Sequence, residues 1–197
     1  MNWLIIGGAA RSGTSAFLKA LNSRPDIFLI PEYYWSQQLH SLDKSIFKKY
    51  ASSLSKINIG KVNNQERPGS NTLLIKDFIE YIPSQDKCLR SIVEAISYSC
   101  SGKTGLTYVG EKLPEYWNYV DFKKLSRVFG EKVKLIHIAR SPMHTLASFA
   151  HRISLSKNGN DRFRFSTFEK AIVHILESYK AYYASCQHPL IDVHFIK

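Results

Sequence analysis

The chain is poor in cysteine and has no long apolar run. Its 197 residues include only three cysteines, Cys88, Cys100 and Cys186, which are too far apart for a CxxC pair or a zinc set. No run approaches the roughly 18 apolar residues that a membrane span needs. The apolar stretch at residues 3–6 lacks the basic leader of a signal peptide. These absences predict a cytoplasmic protein with no membrane span, no metal-cysteine site and buried or incidental thiols.

Acidic side chains are the other shortage. The chain has 16 Asp and Glu against 27 Lys and Arg, a net charge of +11. A balance of this kind favours an anionic partner: nucleic acid, an anionic membrane surface or a polyanionic small ligand. A merely solubilising surface is the alternative, because the positive charges are scattered. With 44% hydrophobic residues, a chain of this length is long enough to bury the core of one domain spanning residues 1–197.

Short apolar runs alternate with amphipathic stretches along the chain. This order predicts an α/β protein with a P-loop NTPase-like, three-layer fold: a mostly parallel central sheet with helices on both faces. The chain ends at Lys197, directly after the last predicted strand. This strand is expected either to lie at the edge of the sheet or to mark the truncation of a longer domain. The predicted strands are 3–7, 27–30, 106–110, 133–139 and 191–196, and the predicted helices are 15–22, 33–50, 72–81, 85–99, 114–129 in two pieces, one opening at Ser141-Pro142, and 168–184.

A glycine-rich loop, Gly8-Ala9-Ala10-Arg11-Ser12-Gly13-Thr14-Ser15, follows the first strand. Its spacing fits GxxxxGK[ST], except that Thr14 stands at the lysine position. In such a loop the glycines let the backbone curl, and the helix N-terminus adds positive potential. The hydroxyls of Ser12, Thr14 and Ser15 add donors, and Arg11 supplies a cation. The segment Arg11-Ser12-Gly13-Thr14-Ser15 therefore predicts a bound phosphate, against the alternative of an ordinary glycine-rich turn.

The carboxylate that a magnesium-bound nucleotide requires is missing from its usual place. In ATPases and GTPases an Asp at the end of a neighbouring strand helps to hold Mg²⁺. Here the strand 133–139 is followed by Arg140, and the strand 106–110 is followed by Glu111-Lys112. Cations at these positions favour an anion that binds without a metal ion.

A second cluster of anion-binding side chains surrounds the start of a later helix. Arg140 directly precedes the predicted N-cap Ser141. Ser148 lies two helical turns after that cap, and Arg152 follows one turn further on the same face. We interpret Arg140, Ser148 and Arg152 as a second phosphate site, with a structural salt bridge of Arg140 as the alternative.

These motifs together resemble the sulfotransferase superfamily, whose donor is 3′-phosphoadenosine 5′-phosphosulfate. The segment 11–15 looks like the family's 5′-phosphosulfate loop. The segment 134–148 looks like its 3′-phosphate segment, and Arg152 matches a further phosphate-contacting arginine of tyrosylprotein-type members. Gly110-Glu111-Lys112-Leu113-Pro114-Glu115-Tyr116 is similar to an EKxPxY element of sugar-modifying members. The family's C-terminal segment, which closes over the 3′-phosphate and adenine, has no visible counterpart here.

The resemblance also implies catalytic roles. In the glycan and tyrosylprotein branches a catalytic Glu follows the second strand, and Glu32 stands at that position. Arg11 and Lys112 would then stabilise charge on the departing phosphate, with adenosine 3′,5′-bisphosphate as product and no metal. Glu111 and Glu115 are rival bases, both next to Lys112.

The acceptor is less defined than the donor. The EKxPxY-like element and a Glu base favour a hydroxyl on a carbohydrate over another small molecule. The aromatic run 33–35 could stack on a sugar ring or belong to the core.

A P-loop nucleoside or small-molecule kinase is the second functional interpretation, which the missing loop lysine weakens. A nucleic-acid-binding module is the third, but no aromatic-basic RNA motif or recognition helix supports it. We therefore expect no nucleic-acid partner, and the sequence leaves the oligomeric state open.

Overall fold

The computed structural model describes residues 1–31, 103, 105–130, 133–156 and 167–197. Five strands in this part of the chain form one sheet in the order β2-β3-β1-β4-β5. All four strand pairs are parallel, so the carboxyl ends of the strands meet at one edge. The strands are β1 (Asn2–Gly8), β2 (Ile27–Pro31), β3 (Tyr108–Lys112), β4 (Val133–Ile138) and β5 (Ile191–Ile196).

Four α-helices accompany this sheet within the described residues: α1 (Thr14–Asn22), α2 (Phe122–Phe129), α3 (Pro142–Ser156) and α4 (Phe168–Cys186). A short 3₁₀ helix, Tyr116–Asn118, precedes α2. None of the helices described is both long and apolar enough to cross a membrane.

Helices cover both faces of the sheet, which explains why β1 is a continuous apolar run. Trp3 and Ile5 point into one face, where α2 and part of α4 pack. Leu4 and Ile6 point into the other face, against Leu18 of α1. A central parallel strand buried on both sides needs apolar residues at consecutive positions rather than at alternate ones. The three-layer α/β architecture predicted from the sequence is therefore confirmed.

Local signals define where α2 and α4 begin. The Asp121 side chain accepts a hydrogen bond from the Lys124 amide at 3.1 Å, and Thr167 accepts one from Lys170 at 3.4 Å. Both are N-cap contacts that satisfy an amide without a partner inside the helix. α2 ends at Phe129 and is capped by Gly130, whose φ of 68° is the left-handed conformation that glycine adopts most easily.

The strand predicted at 106–110 lies at Tyr108–Lys112 instead. The prediction ended at Gly110, two residues before the observed end of the strand. Here a side chain at Gly110 would place its Cβ 1.8 Å from the Leu4 carbonyl oxygen, so glycine permits the close approach to β1. The ladder therefore continues through Glu111 and Lys112, in register with Ile5 and Ile6 of β1.

The other predicted elements agree with the structure to within one or two residues wherever residues are described. The 114–129 segment is helical in two pieces, Tyr116–Asn118 and Phe122–Phe129, as predicted. The predicted helices 33–50, 72–81 and 85–99 lie outside the described residues, as does Glu32.

Candidate active site

The loop between β1 and α1, residues Gly8–Ser15, is named the phosphate loop below. It turns through three left-handed residues, with φ of 129° at Gly8, 70° at Arg11 and 105° at Gly13. A Cβ at Gly8 would stand 2.1 Å from the Ile138 carbonyl oxygen, so only glycine lets the loop leave β1 so close to β4. Gly13 is the N-cap of α1, and its carbonyl accepts hydrogen bonds from the Ala16 and Phe17 amides.

The start of α1 carries no compensating negative charge. No side chain of the described residues caps α1, and its first turn contains no acidic residue. The Ser12 hydroxyl oxygen beside it is buried and has no hydrogen-bond partner among the described residues. A buried hydroxyl without a hydrogen-bond partner costs free energy, and an oxyanion bound in the loop would supply that partner. The loop is therefore suited to an anion.

The two predicted anion-binding motifs meet in the folded chain. The Arg11 side chain donates a hydrogen bond from Nε to Ser148 Oγ on α3 at 3.0 Å. Arg11 is exposed and Ser148 is half-buried, so both remain accessible to a ligand. The two motifs are 137 residues apart in sequence. Their contact places the loop cation and the helix hydroxyl in a single site.

Lys112 reaches the phosphate loop from the neighbouring strand. It is the last residue of β3, in register with Ile6 of β1 and Pro31 of β2. Its ammonium donates a hydrogen bond to Ser15 Oγ at 3.0 Å, although the side chain is only 5% exposed. The missing loop lysine is thus replaced in space by two cations, Arg11 from the loop itself and Lys112 from β3.

The other predicted site residues that the structure describes are Thr14, Arg140 and Arg152. Thr14 is buried at the start of α1, and Arg140 is exposed just beyond the end of β4. Arg152 is half-buried on α3, one turn after Ser148. Glu32 directly follows Pro31, the last described residue of β2.

The rival bases Glu111 and Glu115 are both buried, at 0% and 6% exposure. Glu111 stands in β3 beside Ile5 of β1 and Ile30 of β2. Glu115 Oε1 lies 3.4 Å from His174 Nδ1. Tyr116 of the same EKxPxY-like element is 1% exposed and packs against Gly7, where a Cβ would fall 2.3 Å from its ring. This end of the element therefore belongs to the core that supports the phosphate loop.

His174 of α4 contacts the phosphate loop, and no sequence pattern pointed to it. The Ala10 amide donates a hydrogen bond to His174 Nε2 at 2.9 Å, across 164 residues of sequence. The imidazole is 3% exposed, among the buried residues Ala171 and Ile175 of the same helix face. A polar residue on the apolar face of a helix was the one available signal, and spacing alone could not assign it a partner.

A second buried histidine lies outside the loop. His137 of β4 has its Nδ1 3.4 Å from the Tyr116 hydroxyl and its Nε2 3.4 Å from Ser178 Oγ. Burial lowers the pKa of His137 to about 4 and raises the pKa of Tyr116 to about 12, because desolvation disfavours the charged form of each group. Both side chains are therefore neutral near pH 7.

The structure is an α/β protein with a glycine-rich loop after its first strand, and Arg11 of that loop contacts Ser148 of α3. The Sulfotransferase family model matches residues 4–196, so the chain belongs to the sulfotransferase family and is a sulfotransferase. A comparison with curated proteins gave no match.

Proposed function

We propose that this sulfotransferase moves a sulfuryl group from 3′-phosphoadenosine 5′-phosphosulfate to a hydroxyl group of a carbohydrate. The observation that carries the proposal is the 3.0 Å contact between Arg11 and Ser148. It joins the two elements that the sequence predicts to bind anions. A nucleotide with a phosphosulfate at one end of its ribose and a phosphate at the other matches such a pair of sites.

The residues present fit this donor. The phosphate loop would hold the 5′-phosphosulfate, with the buried Ser12 hydroxyl and the α1 N-terminus as donors. Arg140, Ser148 and Arg152 would hold the 3′-phosphate. Arginine suits this task because its guanidinium forms two parallel hydrogen bonds to a phosphate.

The reaction needs a base for the acceptor and positive charge for the leaving group. Glu32 takes the proton of the acceptor hydroxyl, whose oxygen forms a bond to sulfur. The bond between sulfur and the bridging phosphate oxygen breaks, which releases adenosine 3′,5′-bisphosphate. Arg11 and Lys112 stabilise the negative charge on the departing phosphate. One such interaction is worth roughly 3 kcal/mol in the transition state, or about a hundredfold in rate.

The support for a metal-independent reaction is the character of the residues around the loop. The position after β4 that could carry a metal-binding Asp is occupied by Ala139 and Arg140. Lys112, at the end of β3, directs its ammonium to the hydroxyl of Ser15, the position at which a P-loop NTPase binds Mg²⁺. This cation beside Ser15 supports a site that works without a metal ion.

Calorimetric titration with three ligands tests the donor class. We expect micromolar binding of adenosine 3′,5′-bisphosphate and much weaker binding of ATP with Mg²⁺ and of a single-stranded oligonucleotide. Preferential binding of ATP with Mg²⁺ would favour a kinase, and tight, salt-sensitive oligonucleotide binding would favour a nucleic-acid partner. Transfer of radiolabelled sulfate to oligosaccharides, simple phenols and tyrosine peptides then tests the acceptor, with oligosaccharides expected to be modified.

A further inference from the structure

We propose that His174 is a positioning residue of the phosphate loop. With Glu115 behind it, His174 holds the Ala10 amide and so sets the direction in which Arg11 leaves the loop. This inference rests on the proposed function, because it concerns the same anion site, but its structural part can be tested without any ligand.

The contacts fix the protonation state of the imidazole. Ala10 N–H donates to Nε2, so Nε2 carries no proton. A neutral ring then carries its proton on Nδ1, which lies 3.4 Å from Glu115 Oε1. A histidine that accepts through one nitrogen and faces a carboxylate with the other is held in one tautomer and one orientation.

Aromatic neighbours hold the same ring in place. Trp117 lies with its ring centroid 5.7 Å from that of His174, and Phe149 meets it edge to face at 6.0 Å. Phe149 directly follows Ser148, the residue that binds Arg11. His174 therefore packs on α3 at the point where α3 contributes its hydroxyl to the anion site.

The loop conformation shows what this contact achieves. Backbone amides of a phosphate loop ordinarily point toward the anion, but the Ala10 amide points to His174 instead. The next residue, Arg11, has a φ of 70°, which is unfavourable for a residue with a side chain. Such a conformation persists only where the surroundings impose it. The Ala10 contact with His174 on one side and the Arg11 contact with Ser148 on the other impose it here.

Two substitutions at His174 separate positioning from packing. His174→Phe keeps a planar ring but removes the acceptor for the Ala10 amide. His174→Gln is smaller but places a carbonyl oxygen near the position of Nε2. We expect His174→Phe to weaken binding of adenosine 3′,5′-bisphosphate and of inorganic pyrophosphate about tenfold and to raise the donor KM by a similar factor. His174→Gln should recover most of the lost affinity.

His137→Phe is the matched control. It makes the same change at another buried histidine, whose side chain contacts Tyr116 and Ser178. We expect it to lower thermal stability and leave the affinity for both anions within twofold of wild type. Equal losses of affinity in His137→Phe and His174→Phe would overturn the proposal, since they would show a general effect of core disruption.

The ligand-free protein gives an independent readout by NMR. In uniformly ¹⁵N-labelled wild type we expect His174 as the Nδ1–H tautomer and a slowly exchanging Ala10 amide. That amide should shift and lose protection in His174→Phe but not in His137→Phe. An unprotected Ala10 amide in wild type, or an unchanged one in His174→Phe, would overturn the positioning role. If wild type shows the expected spectra but binds no adenosine 3′,5′-bisphosphate, the proposed donor is wrong and the positioning role stands.

Discussion

Arg11 donates a hydrogen bond from its guanidinium to the hydroxyl of Ser148 at 3.0 Å, across 137 residues of sequence. An exposed hydrogen bond of this kind contributes little to folding. Its importance is geometric, because it places a cation of the phosphate loop beside the α3 residue predicted to bind a second phosphate. A single ligand can therefore contact both residues at once.

Replacement of Ser148 by Ala should weaken binding of adenosine 3′,5′-bisphosphate by about tenfold. The change removes one hydrogen bond to a charged group, worth roughly 1.5 kcal/mol. Calorimetry measures the loss directly. Ser154→Ala is the control, because Ser154 lies later on the same helix, is exposed, and bonds to the His151 carbonyl. Equal affinity in the two variants would remove Ser148 from the nucleotide site.

Replacement of Lys112 by Met should lower kcat about a hundredfold with a smaller effect on donor KM. Met preserves much of the buried apolar stem but removes the ammonium that bonds to Ser15. An interaction made mainly in the transition state affects kcat more than binding. Lys19→Met removes an exposed cation from α1 and should leave kcat unchanged. A normal kcat in Lys112→Met would show that its ammonium has a structural role only.

Replacement of Glu32 by Gln should abolish sulfuryl transfer but leave nucleotide affinity within twofold of wild type. The amide keeps the size of the side chain but cannot accept a proton at neutral pH. Steady-state turnover and calorimetry on the same preparation separate the two effects. Glu177→Gln, an exposed position on α4, serves as control. Near-normal turnover in Glu32→Gln would direct attention to Glu111 and Glu115.

Two glycines of the phosphate loop should differ in their tolerance of alanine. Both have positive φ, but a Cβ at Gly8 would stand 2.1 Å from the Ile138 carbonyl oxygen, whereas a Cβ at Gly13 meets no atom within 4 Å. Gly13→Ala should therefore cost only the backbone strain, about 1–2 kcal/mol. Gly8→Ala must also move β1 away from β4 and should lower the free energy of unfolding by more than that. Urea denaturation compares the two, and equal losses would contradict the steric argument.

The elements that could be predicted from sequence are those encoded by local patterns. β1 is a short apolar run, and the phosphate loop has a fixed spacing of glycines and hydroxyls. The predicted carboxyl end of β3 was wrong. Gly110 permits a close approach to Leu4, and this approach becomes apparent only when the strands are paired. Contacts between distant segments, such as Ala10 with His174, depend on how α4 packs and leave no spacing signal in the sequence.

Acid should destabilise the protein partly through His137. Its pKa is about 4 in the folded state, below the ordinary value of 6.5, because the ring is buried. Between these values the unfolded state binds a proton that the folded state does not. The stability from neutral His137 is therefore complete above about pH 6.5 and is lost as the pH falls toward 4. The loss amounts to roughly 3 kcal/mol at most.

The His137→Phe variant isolates this contribution. Phe cannot bind a proton and sits among the rings of Tyr116, Tyr182 and Phe195. The free energy of unfolding, measured in urea between pH 7.5 and pH 4.5, should fall less steeply in the variant than in wild type. Carboxylates contribute equally to both proteins, so the difference between the two curves reports on position 137. Parallel curves would show that His137 does not account for the acid sensitivity. The pKa of His137 would then be similar in the folded and unfolded states.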